Sequence, residues 1–171
     1  TAGNIVTIDG QFVGGGLRAA GSTYEVQIAG RGSVPANASA VVMNVTVAGA
    51  TAGGYGTVYP CGTLPTASSL NYTAGLVRPN ELISKLSPTG SVCIYVSKPT
   101  HLILDVVGYL PVTDGYHPLT PARLADTRPG QTTIDGFYAG EGVRTDGTTY
   151  DIQVAGRGGV PIDATTAVIN V

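Results

Sequence analysis

GQFVGGGLRAAGSTYEVQIAGRGSVPANASAVVMNV, residues 10–45, returns as GFYAGEGVRTDGTTYDIQVAGRGGVPIDATTAVINV, residues 136–171, without a gap and at a constant offset of 126 residues. About half of the aligned positions are identical. A period of that length is the size of a whole domain, well above the roughly 20–50 residues of a solenoid unit. The reading that follows is one full repeat, residues 1–116, and the N-terminal part of a second, incomplete repeat, residues 117–171. The junction is placed near 111–117. Pro111, Pro118 and Pro121 hold the chain extended there, and Asp114-Gly115 supplies a turn. Thr1 aligns with Thr127, so the chain is expected to begin after a removed segment or inside a longer protein.

Within the repeated stretch the periodicity is two. In STYEVQIA, Tyr24, Val26 and Ile28 alternate with Thr23, Glu25 and Gln27, the mark of a half-buried strand. AVVMNVTVA places Val41, Met43, Val45 and Val47 on one face and Val42, Asn44 and Thr46 on the other. So apolar a run predicts a central strand. GYGTVYP, SSLNY, ELISKL, SVCIYVS and HLILDVVGYL supply further short runs. Turn signals separate them at Gly30-Arg31-Gly32, Arg78-Pro79-Asn80, Ser87-Pro88-Thr89-Gly90 and Lys98-Pro99-Thr100. No window carries an uninterrupted helical pattern, and Gly and Pro recur too often for one. Eight or so strands in one period predict an all-β fold, a two-sheet antiparallel β-sandwich of jelly-roll or Greek-key type, tandemly repeated. A closed barrel or β-trefoil is the competing architecture, although residues 1–126 lack the three similar thirds a trefoil needs.

Only 12% of residues are charged and the net charge is −2, with no basic run. Nucleic-acid binding therefore has little electrostatic support. No apolar stretch reaches the roughly 18–20 residues of a membrane-spanning helix. Low charge and many small side chains leave little repulsion between copies, which suits a fibre or surface coat. Cys61 and Cys93 have no neighbouring His for a metal site, and both flank strand-like runs. They read as one disulfide, with two buried free thiols as the alternative. A disulfide places the chain in an oxidising, extracellular compartment.

Candidate chemistry is sparse. His101 and His117 lack companions at ligand spacing, and Ser22 and Ser68-Ser69 sit in no nucleophile motif. No catalytic residue, metal ligand or cofactor is assigned. Asp105, inside HLILDVVGY, needs a partner if it faces the core, and Arg31 or Arg128 could supply one. Arg31 and Arg157, each between glycines, either pin a neighbouring loop or present a guanidinium to a ligand. Nine Tyr and no Trp leave a sugar-stacking platform open, with Tyr55 and Tyr72 as candidates beside the two arginines. Asn44 falls in a glycosylation sequon but is mid-strand, where a structural hydrogen bond is the plainer role.

PLTPARLADTR (118–128), AGRGSVPANASAVVMNVTV (29–47), GYGTVYPCG (54–62), ASSLNYTAG (67–75), VRPNELI (77–83) and GSVCIYVSKPTHLILDVVGYL (90–110) together resemble a repeat module of secreted and cell-wall-associated actinobacterial proteins. The resemblance spans nearly the whole chain. It implies export, a modular architecture, and Cys61 with Cys93 as the module's usual pair; it carries no catalytic residues. The expected function is a non-catalytic extracellular structural protein. Its repeats would associate head to tail into a filament, stalk or coat, through residues 118–171 and other copies of the chain. The alternative is a carbohydrate-binding module that targets cell wall or extracellular polysaccharide. A glycan-cleaving enzyme, with a pair of carboxylates in a cleft, is the third and least supported reading.

Overall fold

The computed structural model describes residues 6–112 and 115–171. The aligned Thr1 and the Asp114 turn position lie outside them. The chain divides into two compact units. The first comprises residues 1–64 and 68–118, the second residues 65–67 and 119–171.

The first unit is all β, with no helix among the described residues. Its strands are β1 (Ser22–Gln27), β2 (Ala40–Ala48), β3 (Gly54–Pro60), β4 (Leu70–Tyr72), β5 (Arg78–Lys85), β6 (Ser91–Val96) and β7 (His101–Leu110). They form two antiparallel sheets, one in the order β1-β6-β3-β4 and one in the order β5-β2-β7. Seven strands are described where about eight were expected.

β2 is central, as its two-sided apolar pattern predicts. Val41, Met43 and Val45 are fully buried and Val47 is 1% exposed. They meet Val26, Val58, Leu70, Tyr72, Val92, Ile94 and Val96 of the other sheet in a single core. Each such aliphatic side chain contributes about 1.5–3 kcal/mol by leaving water. Most of these core residues are β-branched, which restricts χ1 and suits a pleated surface.

Arg78-Pro79-Asn80, read from sequence as a turn, is instead the start of β5. β5 is an edge strand, so the missing N–H of Pro79 costs no inner ladder bond. Between β5 and β6 the chain turns at Ser87–Gly90, where the Gly90 N–H donates to the Ser87 carbonyl at 2.8 Å. Gly90 has φ +80°, and a Cβ there would sit 2.5 Å from Ala29 Cβ. Only glycine fits that approach.

The Cys61–Cys93 disulfide is formed, with Cα atoms 4.9 Å apart. Cys93 lies in β6 opposite Tyr59 of β3, and Cys61 follows β3 by one residue. The bond therefore clamps two adjacent strands of the same sheet.

In the second unit no strand occurs among the described residues; one parallel bridge joins Asp126 to Ala139. Residues 148–153 and 166–171, which align with β1 and the start of β2, form no strand. In the first unit β1 pairs with β6, and β2 with β5 and β7.

Candidate functional site

The most elaborate polar structure is built on the Gly-Arg-Gly turn. After β1 the chain reverses through Gly30 (φ +81°), Gly32 (φ +53°) and Ser33 (φ +69°). The Gly30 N–H donates to the Val34 carbonyl and the Val34 N–H to the Arg31 carbonyl, both at 2.8 Å. This compact turn points Arg31 back along the strand. Its Nε and Nη2 grip Asp9 at 2.6 and 2.7 Å, and its Nη1 donates to the Gln27 carbonyl at 2.7 Å. The guanidinium lies 4.7 Å from the Phe12 ring centre, and Phe12 meets Tyr24 edge-on. The hydrogen bonds from Arg31 hold the Asp9 carboxyl down at about 2.

The second unit copies this arrangement. Gly156 (φ +82°), Gly158 (φ +56°) and Gly159 (φ +88°) make the turn. Arg157 grips Asp135 at 2.6 and 2.7 Å and donates to the Gln153 carbonyl at 2.7 Å. Its guanidinium lies 4.8 Å from Tyr138, which meets Tyr150 edge-on. Phe12 and Tyr138 adopt the same left-handed backbone, φ +58° and +57°. The Asp135 carboxyl is likewise held at about 2 by the Arg157 hydrogen bonds.

In the second unit a strip, residues 119–128, lies beside the Arg157 turn. Asp126 is 9% exposed and receives Arg123 Nη1 at 2.9 Å, Arg128 Nε at 2.9 Å and Arg128 Nη2 at 2.7 Å. Those bonds, led by Arg128, hold its carboxyl at about 2. Backbone bonds lay the strip against the body of the unit. The Asp126 N–H donates to the Tyr138 carbonyl at 2.9 Å, and the Gly140 N–H to the Asp126 carbonyl at 2.8 Å. Arg157 Nη2 also donates to the Leu124 carbonyl at 2.8 Å.

The four candidate ligand-contacting residues fare differently. Arg31 and Arg157 are committed to loop-pinning ion pairs. Tyr72 is buried; its hydroxyl donates to the Lys98 carbonyl at 2.8 Å and accepts from the Lys98 N–H at 3.1 Å. Tyr55 is exposed on β3 and lies 5.9 Å from the Tyr95 ring. Tyr55 and Tyr72 lie on neighbouring strands but at adjacent register positions, so they point to opposite faces.

Asp105 does not need the partner envisaged from the sequence. It is exposed on β7, while Leu102 and Leu104 take the core-facing positions. Arg31 pairs with Asp9 and Arg128 with Asp126 instead. Asp9, Asp126 and Asp135 were missed as partners. A signal for two of them was present, because Thr7-Ile8-Asp9 recurs as Thr133-Ile134-Asp135 just before the aligned stretch. The Ser22 hydroxyl donates to the Ala19 carbonyl, and Ser69 Oγ accepts from the Val58 N–H. Both are structural roles. His101 and His117 are exposed. Among the described residues, one cluster brings three potentially metal-ligating residues together, Glu25, Cys61 and Cys93. Both sulfurs are consumed in the disulfide, so the cluster offers no thiolate. No helix among the described residues is long and apolar enough to cross a membrane.

Comparison with family models, with curated proteins and with solved structures finds no match to this chain.

Proposed function

We propose that this chain is a non-catalytic extracellular structural module. Its β-sandwich units, of jelly-roll or Greek-key type, repeat every 126 residues and associate head to tail into a filament, stalk or coat. One observation carries the reading. The polar frame of the first unit is rebuilt in the second at a constant sequence offset. An open apolar hollow of about 150 Å³ lies among Val154, Ala155, Val160 and Ala164. Its counterparts Ile28, Ala29 and Val34 are buried in the first unit. Apolar surface of this kind favours association with another copy. The disulfide and the low charge support export and dense packing. The resemblance to modules of secreted, cell-wall-associated actinobacterial proteins points the same way. Sedimentation velocity across a concentration series, with electron microscopy, tests it. Concentration-dependent growth into regular linear assemblies is expected; a monodisperse monomer throughout sinks it.

The alternative, a polysaccharide-binding module, is favoured by the exposed Tyr55 beside Tyr95, a small aromatic surface of the kind that stacks on sugar rings. Retention on insoluble cell-wall glycans, lost in Tyr55→Ala, would support it. Absence of retention on any glycan would remove it.

A further inference from the structure

The chain leaves a one-electron oxidant few targets other than tyrosine. It has nine tyrosines and no tryptophan. Both cysteines are joined in the disulfide, and the single methionine, Met43, is fully buried. Thiols and thioethers are the side chains that oxidants ordinarily take first, so the phenols stand next in line. Among the described residues two pairs of tyrosines stand ring to ring, Tyr55 with Tyr95 and Tyr138 with Tyr150, each with centroids 5.9 Å apart.

β3 and β6 place the first pair. Thr57 pairs with Tyr95 and Gly56 with Val96, so Tyr55 is the diagonal neighbour of Tyr95. Both lie on the sheet face turned away from Val58, Ile94 and Val96 of the core. The Tyr55 N–H donates to Ser97 Oγ at 2.8 Å and the Ser97 N–H to the Tyr55 carbonyl at 2.9 Å, which fixes the backbone at that step. The rings are tilted by 44°, neither stacked nor edge-on. The Tyr95 hydroxyl is pushed up from its ordinary value by burial first, and then by the Tyr55 phenol beside it. Tyr55 is 40% exposed and Tyr95 half-buried, within reach of a dissolved oxidant. The second pair is built differently. Tyr138 and Tyr150 meet edge-on at 79°, and each hydroxyl is held by another partner. That of Tyr138 accepts from the Gln153 N–H at 3.1 Å, and that of Tyr150 donates to Glu141 Oε2 at 2.7 Å.

We propose that Tyr55 and Tyr95 are a site of oxidative coupling, joined into a dityrosine when the chain meets a one-electron oxidant such as a peroxidase-generated or light-generated radical. Each phenol gives one electron to the oxidant and its hydroxyl proton to water. The two radicals then form one C–C bond, between a Cε carbon of each ring. The hydrogens on those two carbons leave as protons, and two protons return to the phenol oxygens, which restores both aromatic rings. The chain ends lighter by two hydrogen atoms, and the oxidant has taken up two electrons. The Cε carbons flank the hydroxyl, so the ring edges that join are those nearest the interacting phenol groups. Tyr55, exposed and with two rotatable side-chain bonds, supplies the swing that brings the carbons into contact. The new bond clamps β3 to β6, the strands the Cys61–Cys93 disulfide already joins, and unlike the disulfide it survives thiols. The inference concerns two side chains of one unit and rests neither on filament growth nor on glycan binding.

The test exposes the whole chain, at low concentration, to a photogenerated ruthenium(III) complex with persulfate as the final electron acceptor. Half of the molecules carry heavy nitrogen, so that coupling within one chain is told apart from coupling between copies. Dityrosine fluorescence should appear in material that still runs as a single chain. Trypsin spares Arg-Pro and Lys-Pro bonds, so Tyr55 falls in peptide 32–85 and Tyr95 in peptide 86–123. After the disulfide is reduced and alkylated, these two peptides should remain joined. Their mass should lie two hydrogens below the sum, with both halves of the same isotope. Tyr55→Phe and Tyr95→Phe keep the rings, and each should lose the joined product. Four results would overturn the inference: no joined pair after oxidation, a pair that persists in Tyr55→Phe, pairs of mixed isotope, or an equal yield of Tyr138 coupled to Tyr150.

Discussion

Removing the Cys61–Cys93 bond is the cleanest perturbation, because its size follows from the chain length it closes. The two cysteines are 32 residues apart. Loop-closure entropy for that separation gives about 3.7 kcal/mol at 25 °C. Cys93 is buried and Cys61 half-buried, so Cys61→Ser with Cys93→Ala introduces no buried hydroxyl at the inner position. The small cavity left at Cys93 adds to the loss, and residual contacts in the unfolded chain subtract from it. A net loss of about 3–4 kcal/mol is expected. That is a large part of the ~5–15 kcal/mol a domain possesses. Nine tyrosines and no tryptophan make tyrosine fluorescence the natural probe of guanidinium unfolding. With a slope of about 3–4 kcal/mol/M for a domain of this size, the midpoint should fall by about 1 M. The slope itself should rise, because an uncrosslinked chain exposes more surface when it unfolds. Wild type in reductant should follow the double variant. A midpoint that moves by less than about 0.3 M, with both cysteines shown to be oxidised in the wild type, would refute the reasoning. It would mean that the β3–β6 clamp adds nothing the ladder does not already impose.

Two further predictions concern the polar frame. The carboxyls of Asp9, Asp126 and Asp135 are lowered from 3.8 to about 2 by their arginines. Such groups bind protons more readily in the unfolded chain, so their contribution is complete above the unfolded value and is lost as pH falls from near 4 through about 2. Urea midpoints should drop across that window, and Asp126→Asn should flatten part of the drop; an identical profile in that variant would contradict the assignment. Gly158→Ala and Gly32→Ala share the left-handed backbone penalty of about 1–2 kcal/mol, but only Gly158→Ala also drives a methyl into Leu124 and Ala122. Exchange of the Asp126 and Gly140 amides should therefore quicken in Gly158→Ala, while Gly32→Ala leaves them unchanged.

How much of this was readable beforehand depended on whether the information was local. The alternation in residues 40–48 was enough to place Val41, Met43, Val45 and Val47 inward, because a strand's side chains must alternate. The two cysteines flanking strand-like runs were likewise enough to suggest their bond. Arg78-Pro79-Asn80 looked like a turn because proline ends most ladders, and only the sheet order reveals that β5 is an edge where proline is harmless. Asp105 looked expensive because its neighbours are apolar, but β7 is also an edge and its outward positions are open to water. Edge or centre is a property of the assembled sheet, and no window of ten residues encodes it.

The Asp–Arg partners fall between these cases. A residue 22 positions from Arg31 cannot be identified as its partner from one copy of the sequence. Two copies change that. Asp9 and Asp135 stand at the same distance from Arg31 and Arg157, in the shared triplet Thr-Ile-Asp. Outside the triplet the two copies differ at about half their positions. An acid, an arginine and the glycines between which that arginine sits persist together while the strand residues around them exchange Val for Ile. Substitution among β-branched apolar residues conserves the burial a strand needs. A two-point grip between a planar guanidinium and a carboxylate has no such latitude, because neither lysine nor glutamate reproduces its geometry. The difference between what the two units preserve and what they vary therefore marks the Arg31 and Arg157 turns as the part of each unit with the least room for substitution. The strip of residues 119–128 closes against one of them, on the side where Gly158 leaves room.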